Sequence, residues 1–387
     1  TRGLKDLLAN VCRRLSGAGG EAASIFRLDT QYGGGKTHGL IALVHAVRGL
    51  DGVENVAEFI DPALLPSGEV RVAAFDGENA DPANGRTMGD GIRAYTPWGE
   101  IAYALAGSAG YERIRRSDEE RIAPGADTIR ELFGGRPTLI LLDELSVYLR
   151  KVGKSTRAGE QLTAFLTSLF KAVESTPNAA IVYTLAIGKD GRAGDAYAAE
   201  NQQIAEWLAE AESVSARKAT LLNPTDDDET VHVLRRRLFA SVDEENASRV
   251  IEAYRELWHA HRERLVPDAV APETLEAFRA SYPFHPEVLE TLTGKTATLS
   301  NFQRVRGMLR ILARTVAHVW KERPLDAHAI HLHHIDPSHE TLRQEFVTLH
   351  SPELNGLVER VIRTLARDNK DVDDGWLCDK GRFGFQV

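Results

Sequence analysis

The chain has 387 residues, 43% of them hydrophobic, and a formal net charge of −9. That is length enough for two or three domains, and the acidic balance argues against a protein that coats DNA through bulk charge, leaving only a local basic surface open. No run of about 18 apolar residues occurs, so no segment is expected to span a membrane. The two cysteines, Cys12 and Cys378, form no C-x-x-C pair, which fits a reducing cytoplasm rather than a disulfide framework.

The opening stretch TRGLKDLLANVCRRL sets Leu4, Leu7, Leu8, Val11 and Leu15 at helical spacing. Residues 1–19 therefore read as an N-terminal amphipathic helix and its turn, with no signal peptide visible. SIFRLD (24–29) is a short strand, followed by the Gly-rich DTQYGGGKTHGL (29–40) and a helical pattern from Lys36 to about Gly49. EVRVAAFDG (69–77) is the next strand, and ENADPANGRTMGDG a loop dense in turn-forming residues. In TPWGEIAYALAG (96–107), Thr96 is the expected N-cap and Pro97 the first helical residue.

PTLILLDEL (137–145) is a near-continuous apolar run, as in a strand buried on both faces. A helix over 158–175 precedes a second such run, AAIVYTLAI (179–187), and KATLLNP (218–224) is the last strand. Residues 189–217 read as a mobile loop followed by an exposed helix. Strands alternating with helices predict an α/β core over 20–224, a parallel sheet covered by helices on both faces.

After Pro224 come five helical segments with no strand between them, DDDETVHVLRRRLF, ENASRVIEAYRELWHAHRERL, APETLEAFRAS, HPEVLETL and NFQRVRGMLRILARTVAHVW. They predict an all-helical domain over 225–325, with 326–387 a partial further segment. The chain opens at Thr1 and stops within GRFGFQV, which reads as an interrupted strand. It is expected to be part of a longer protein.

A strand, a glycine-rich turn and a helix opened by Lys-Thr form the frame of a phosphate-binding loop. Gly33, Gly34 and Gly35 let backbone N–H groups turn toward an anion, and the helix N-terminus adds its dipole. Lys36 would reach the β- and γ-phosphates of ATP, and the Thr37 hydroxyl would ligate Mg²⁺. Thr30 stands where the usual pattern has its first glycine, with Gln31, Tyr32 and His38 completing the loop. The competing reading is a Gly-rich turn that happens to precede an exposed lysine.

TLILLDEL carries Asp143 and Glu144 to the carboxyl end of a central strand, the edge where open parallel sheets bind ligands. Asp143 would support Mg²⁺, and Glu144 would orient and deprotonate a water attacking the γ-phosphate. The alternative is an acidic pair capping a helix. The two motifs occur in the required order, with a further strand between them.

That combination resembles the additional-strand branch of P-loop NTPases, and the helical unit resembles the lid of AAA+-type ATPases. The set FRLDTQYGGGKTHGL, FDGENADP, TPWGEIAYALAG, LILLDEL, LRRRLF, SYPFHPEVLETL and FQRVRGMLRILA is similar to a little-characterised bacterial ATPase family. Its members are often encoded in phage-defence islands beside DNA methyltransferases and helicases. The likeness spans roughly 20–320, and there the Tyr-Gly-x-Gly-Lys-Thr-His form is normal, so Thr30 is no defect. It implies an ATPase whose turnover drives conformational change, with defence-system proteins as partners.

By the same resemblance Thr184, ending AAIVYT, falls where such enzymes keep a polar residue beside the γ-phosphate, unless it is an ordinary strand threonine. The resemblance also puts a γ-phosphate-sensing arginine in the helix with Arg306, Arg310 and Arg314 at four-residue intervals, Arg306 favoured. DNA phosphate contact or plain solvation are the other uses of that row, which flanks an apolar stripe of Val305, Met308, Leu312, Val316 and Val319. One of Arg235, Arg236 and Arg237 would act as a finger in a neighbouring subunit of a homo-oligomer, or all three line a solvated face.

HAIHLHHIDPSH (328–339) holds five of the thirteen histidines. His331 and His333 with Asp336 would offer zinc ligands, against the plainer reading of a His-rich surface strand entering a helix. The rival functions are a STAND-like nucleotide-gated signalling switch with little turnover, a P-loop kinase of a small substrate, and a helicase or translocase. Against the last, these residues hold no second motor core.

Overall fold

Thr138–Asp143 (β5), TLILLD, is buried at every position, which only a strand covered on both faces can be. It lies second in a five-stranded sheet of order β2-β5-β6-β1-β7, built from Ile25–Asp29 (β1), Arg71–Asp76 (β2), β5, Ala179–Leu185 (β6) and Thr220–Leu222 (β7). Every pairing in it is parallel. This computed structural model describes residues 1–17, 22–29, 35–50, 52–152, 156–185, 206, 209, 219–222, 230–294, 305–325 and 327–349. The chain divides into two compact units, Thr1–Glu229 and Thr230–Val387.

Because side chains alternate along a strand, β5 feeds two cores. Leu139 and Leu141 join Phe26, Leu28, Ala180 and Val182 beneath Arg2–Leu15 (α1) and Lys36–Val47 (α2). Ile140 and Leu142 join Ala73, Phe75, Ile181 and Tyr183 on the opposite face. That face is covered by Pro97–Glu119 (α3), Ala126–Phe133 (α4), Leu145–Val152 (α5) and Thr156–Glu174 (α6). The buried Arg14 pins α1 to the sheet by donating to the carbonyls of Thr176 (2.8 Å) and Ala179 (3.0 Å).

Thr96 caps α3 by accepting the Gly99 N–H, with Pro97 at its first position as the sequence predicts. The sequence pattern ends this helix at Gly107. Instead the backbone leaves helical geometry at Ala106 and Gly107 and resumes as a second arm to Glu119. That arm returns antiparallel to the first, since the buried Asp118 accepts from the Tyr95 N–H (3.0 Å), the Thr96 hydroxyl and the Tyr111 hydroxyl (2.8 Å). Helices α4 and α5 and the two-residue strands Arg86–Thr87 (β3) and Arg93–Ala94 (β4) are further additions to the elements expected. The stretch 189–217 lies outside the described residues apart from 206 and 209.

In the second unit the five expected helices are present as Thr230–Leu238 (α7), Glu244–Ala260 (α8), Pro272–Ser281 (α9), Pro286–Gly294 (α10) and Val305–Glu322 (α11). A sixth, Glu340–Leu349 (α12), follows. Leu234, Val288, Leu292, Met308, Ile311, Leu312 and Leu342 pack as one core. The His-rich stretch is not a strand. Ile330 makes a single parallel bridge to Phe284, and 332–334 form a short 3₁₀ turn in which the His331 N–H donates to His334 Nδ1 (2.9 Å). A side chain that accepts a nearby backbone N–H draws the chain out of a ladder.

Asp118→Ala leaves the Tyr95 N–H and the Thr96 hydroxyl without their acceptor, and leaves the Tyr111 hydroxyl only the Arg93 carbonyl (2.9 Å). It is expected to lower stability by about 3 kcal/mol, read as a drop in urea midpoint, with a smaller loss in Asp118→Asn.

Candidate functional site at the carboxyl edge of the sheet

The helix after β1 covers one face of the sheet and those after β2 and β5 cover the other. At the carboxyl ends of such strands the loops part and leave a crevice, the usual ligand position in open α/β sheets. Into this edge the register delivers two chemistry-bearing residues. Leu142 pairs with Tyr183 and Leu28 with Thr184, so Asp143 and Thr184 emerge side by side, close to where β1 ends.

The Asp143 carboxylate is the hub. The Thr37 hydroxyl donates to its Oδ2 (2.8 Å) across 106 positions of sequence. The Thr184 hydroxyl donates to its Oδ1 (2.5 Å), and so does the Glu144 N–H (3.1 Å). Asp143 and Thr184 are buried, as is Lys36 on the first turn of α2. Gly35 caps α2 in the left-handed conformation (φ 80°), which glycine adopts without steric cost, and its carbonyl accepts the Gly39 N–H (2.8 Å). His38 is exposed.

Glu144 stands at φ 52°, left-handed although it is not glycine. Burial, and then the charge of Asp143, push its carboxyl from the ordinary 4.5 up to about 6, against the opposing pull of Lys36. Glu78 in the loop after β2 and Asp76 at the end of that strand add to the push. Sequence reasoning singles out neither of those two residues, nor Gly77 between them. The signal available is their place at the end of β2, next to the end of β5.

Thr30, Gln31, Tyr32, Gly33 and Gly34 lie outside the described residues, as does the side chain of Arg306. Lys36, Thr37, Asp143, Glu144 and Thr184 are brought to one edge. Two arginines of the α11 row have a partner in the same unit. Arg310 and Arg314 both pair with the buried Glu345 of α12, at 2.5 and 2.7 Å. Arg235 pairs with Glu244, while Arg236 and Arg237 are exposed. Among the described residues no group of three or more His, Cys, Asp or Glu side chains is arranged to hold a metal, which removes the zinc reading of His331, His333 and Asp336. No helix among those residues is long and apolar enough to cross a membrane.

Residues 1–216 match the DUF499 N-terminal domain, and 225–355 match the DUF499 second domain. The chain belongs to the DUF499 family. Comparison with curated proteins finds no match. The hub formed by Thr37, Asp143 and Thr184 falls wholly within the DUF499 N-terminal domain, and the Arg310–Glu345–Arg314 pairing within the second.

A carboxyl whose pKa is higher in the fold than in the unfolded chain binds its proton more tightly when folded. Its ionisation therefore destabilises the fold, by nothing below about pH 4.5 and by the full amount above about pH 6. Allowing for solvent screening, that cost is about 1 kcal/mol at pH 7. Without nucleotide or metal, Glu144→Gln is expected to melt higher than the wild type at pH 7.5, with the difference vanishing by pH 4.5 in paired thermal scans.

Proposed function

We propose that the chain binds ATP with Mg²⁺ at the carboxyl edge of its sheet and hydrolyses it, using turnover to drive a conformational change. The observation that carries this reading is the Thr37–Asp143 hydrogen bond. It joins the residue after the lysine of a glycine-rich loop to the acid that ends the central apolar strand, the pair that ATP-hydrolysing enzymes use to share a metal. The strand order supports it too: β6 stands between β1 and β5, as an additional-strand P-loop core requires.

The donors at this edge fit Mg²⁺. A hydroxyl and a carboxylate are hard oxygen ligands, and Mg²⁺ takes one or two protein groups and fills its shell with phosphate oxygens and water. Thr37 and Asp143 would hold it, with Lys36 on the β- and γ-phosphates. Bound there, the ion would neutralise charge between those phosphates. Thr184, by donating to Asp143, fixes the carboxylate's orientation. Glu144 orients the attacking water and takes its proton. With a carboxyl near 6 it is ionised at neutral pH yet more basic than a solvated glutamate.

The resemblance of the motif set to ATPases encoded in phage-defence islands supports a role in bacterial defence, with other proteins of such a system as partners.

Glu144→Gln is expected to bind ATP as the wild type does and to lose about 100-fold or more in kcat. Lys36→Ala is expected to weaken ATP affinity by about 30-fold or more through loss of a charge-assisted contact. Phosphate release and equilibrium binding of a fluorescent ATP analogue read the two effects separately. Equal turnover in wild type and Glu144→Gln contradicts the assignment. Stoichiometric ATP retained through purification with negligible turnover would mark a nucleotide-gated switch instead.

A further inference from the structure

Glu144 occupies a left-handed backbone conformation (φ 52°) that a side-chain-bearing residue keeps only where the surroundings impose it. The surroundings that impose it here belong to another strand. Gly77, the residue after β2, lies flush against the Glu144 peptide: a Cβ built on it would stand 2.0 Å from the Glu144 carbonyl oxygen and 2.8 Å from its carbon. The Gly77 N–H donates to the carbonyl of Asp143 (3.0 Å), and the Glu144 carbonyl accepts the N–H groups of Val147 (3.0 Å) and Tyr148 (3.2 Å) to open α5. The two peptides that flank the Glu144 Cα are thus both held, one by the Gly77 N–H and the other by the first turn of α5.

The grip closes into a ring. Asp76 folds the residues after β2 into a tight loop by accepting the Glu78 N–H (2.9 Å) and the Asn79 side-chain amide (2.6 Å). On α5, seven residues beyond Glu144, the Lys151 ammonium donates to the carbonyls of Glu78 and of Ala80 (2.9 Å). Tyr148 of the same helix packs edge-on against Phe75, ring centroids 5.3 Å apart. The circuit therefore runs from Glu144 along α5 to Lys151, across to the 78–80 carbonyls, back through Gly77 to Glu144.

We infer that Gly77 and Lys151 are positioning residues that hold Glu144 in its left-handed conformation, and so aim its carboxylate. Neither would touch the nucleotide. Lys151 is chemically suited to this work because an ammonium carries several donors on a flexible stem and can satisfy two loop carbonyls at once. Gly77 is required by contact distance: any side chain drives the two loops apart. The catalytic half of the inference rests on the ATPase reading above; the structural half does not.

The test compares the wild-type chain with Lys151→Met, Lys151→Arg and Gly77→Ala, and has two readouts. Amide hydrogen exchange over 76–80 and 144–148 reports the ring itself. It is expected to speed up by about tenfold or more in Lys151→Met and Gly77→Ala, to return toward wild type in Lys151→Arg, and to stay unchanged in β1 and β6. Steady-state turnover reports the aiming: kcat falls by about tenfold or more at a KM for ATP within about twofold of wild type, and Lys151→Arg recovers most of it. If Gly77→Ala fails to fold, Lys151→Met carries both readouts.

Unchanged exchange in Lys151→Met overturns the ring, whatever the turnover. Faster exchange with unchanged kcat, in a wild type whose turnover needs Glu144, overturns the aiming. Faster exchange together with a wild type that does not hydrolyse ATP at all leaves the ring standing and removes the ATPase reading instead.

Discussion

The carboxylate of Asp143 takes hydrogen bonds from Thr37, from Thr184 and from the next peptide N–H, and the site around it follows from satisfying that one buried group. A carboxylate removed from water needs such partners or a cation, and here they come from α2, β6 and the chain leaving β5. The parallel register is what lets them meet. A slip of one residue in β5 or β6 would turn Asp143 or Thr184 to the opposite face of the sheet, and the hub would fall apart. The two hydrophobic cores divided by β5 therefore do more than stabilise the unit: they fix which face each side chain at the edge presents.

Around that hub local preferences are set aside. Glu144 is left-handed without being glycine, and its acid lies beside Asp143 and partly buried. The Asp76–Ala80 loop crosses so close that only glycine fits at position 77. Such departures cluster where a side chain has to be aimed rather than merely accommodated. The second unit shows the contrasting case. Glu345 is buried, but both its arginine partners lie on one neighbouring helix, an ion pair that fixes α11 against α12.

Much of this is legible in the sequence because its signals are long-range in pattern yet local in position. The run LILL announces a doubly buried strand, Thr96-Pro97 announces a helix start, and the five helices from 230 to 322 follow from apolar spacing. Short elements carry too little pattern. Strands β3 and β4 have two residues each, and α4 and α5 have eight, near one window of periodicity. The second arm of α3 is polar on most of its surface and is held by Asp118 reaching back across the break. Partners that are distant in sequence leave no trace either. Periodicity places Arg310 and Arg314 on one face but is silent on Glu345, and nothing in FDGENADP says that its glycine will meet Glu144. The pairing of Thr37 with Asp143 is intermediate: each motif names its residue, and only the strand order joins them.

Thr37 and Asp143 are proposed to meet in order to share a metal bound to phosphate. Calorimetric titration of ATP into the protein, with and without Mg²⁺, tests it most directly, using wild type and Thr37→Val. Mg²⁺ is expected to tighten binding to the wild type by about tenfold or more, equivalent to about 1.4 kcal/mol, and this gain is expected to disappear in Thr37→Val while metal-free binding persists. Binding of equal strength with and without Mg²⁺, or a gain that Thr37→Val leaves intact, would contradict it.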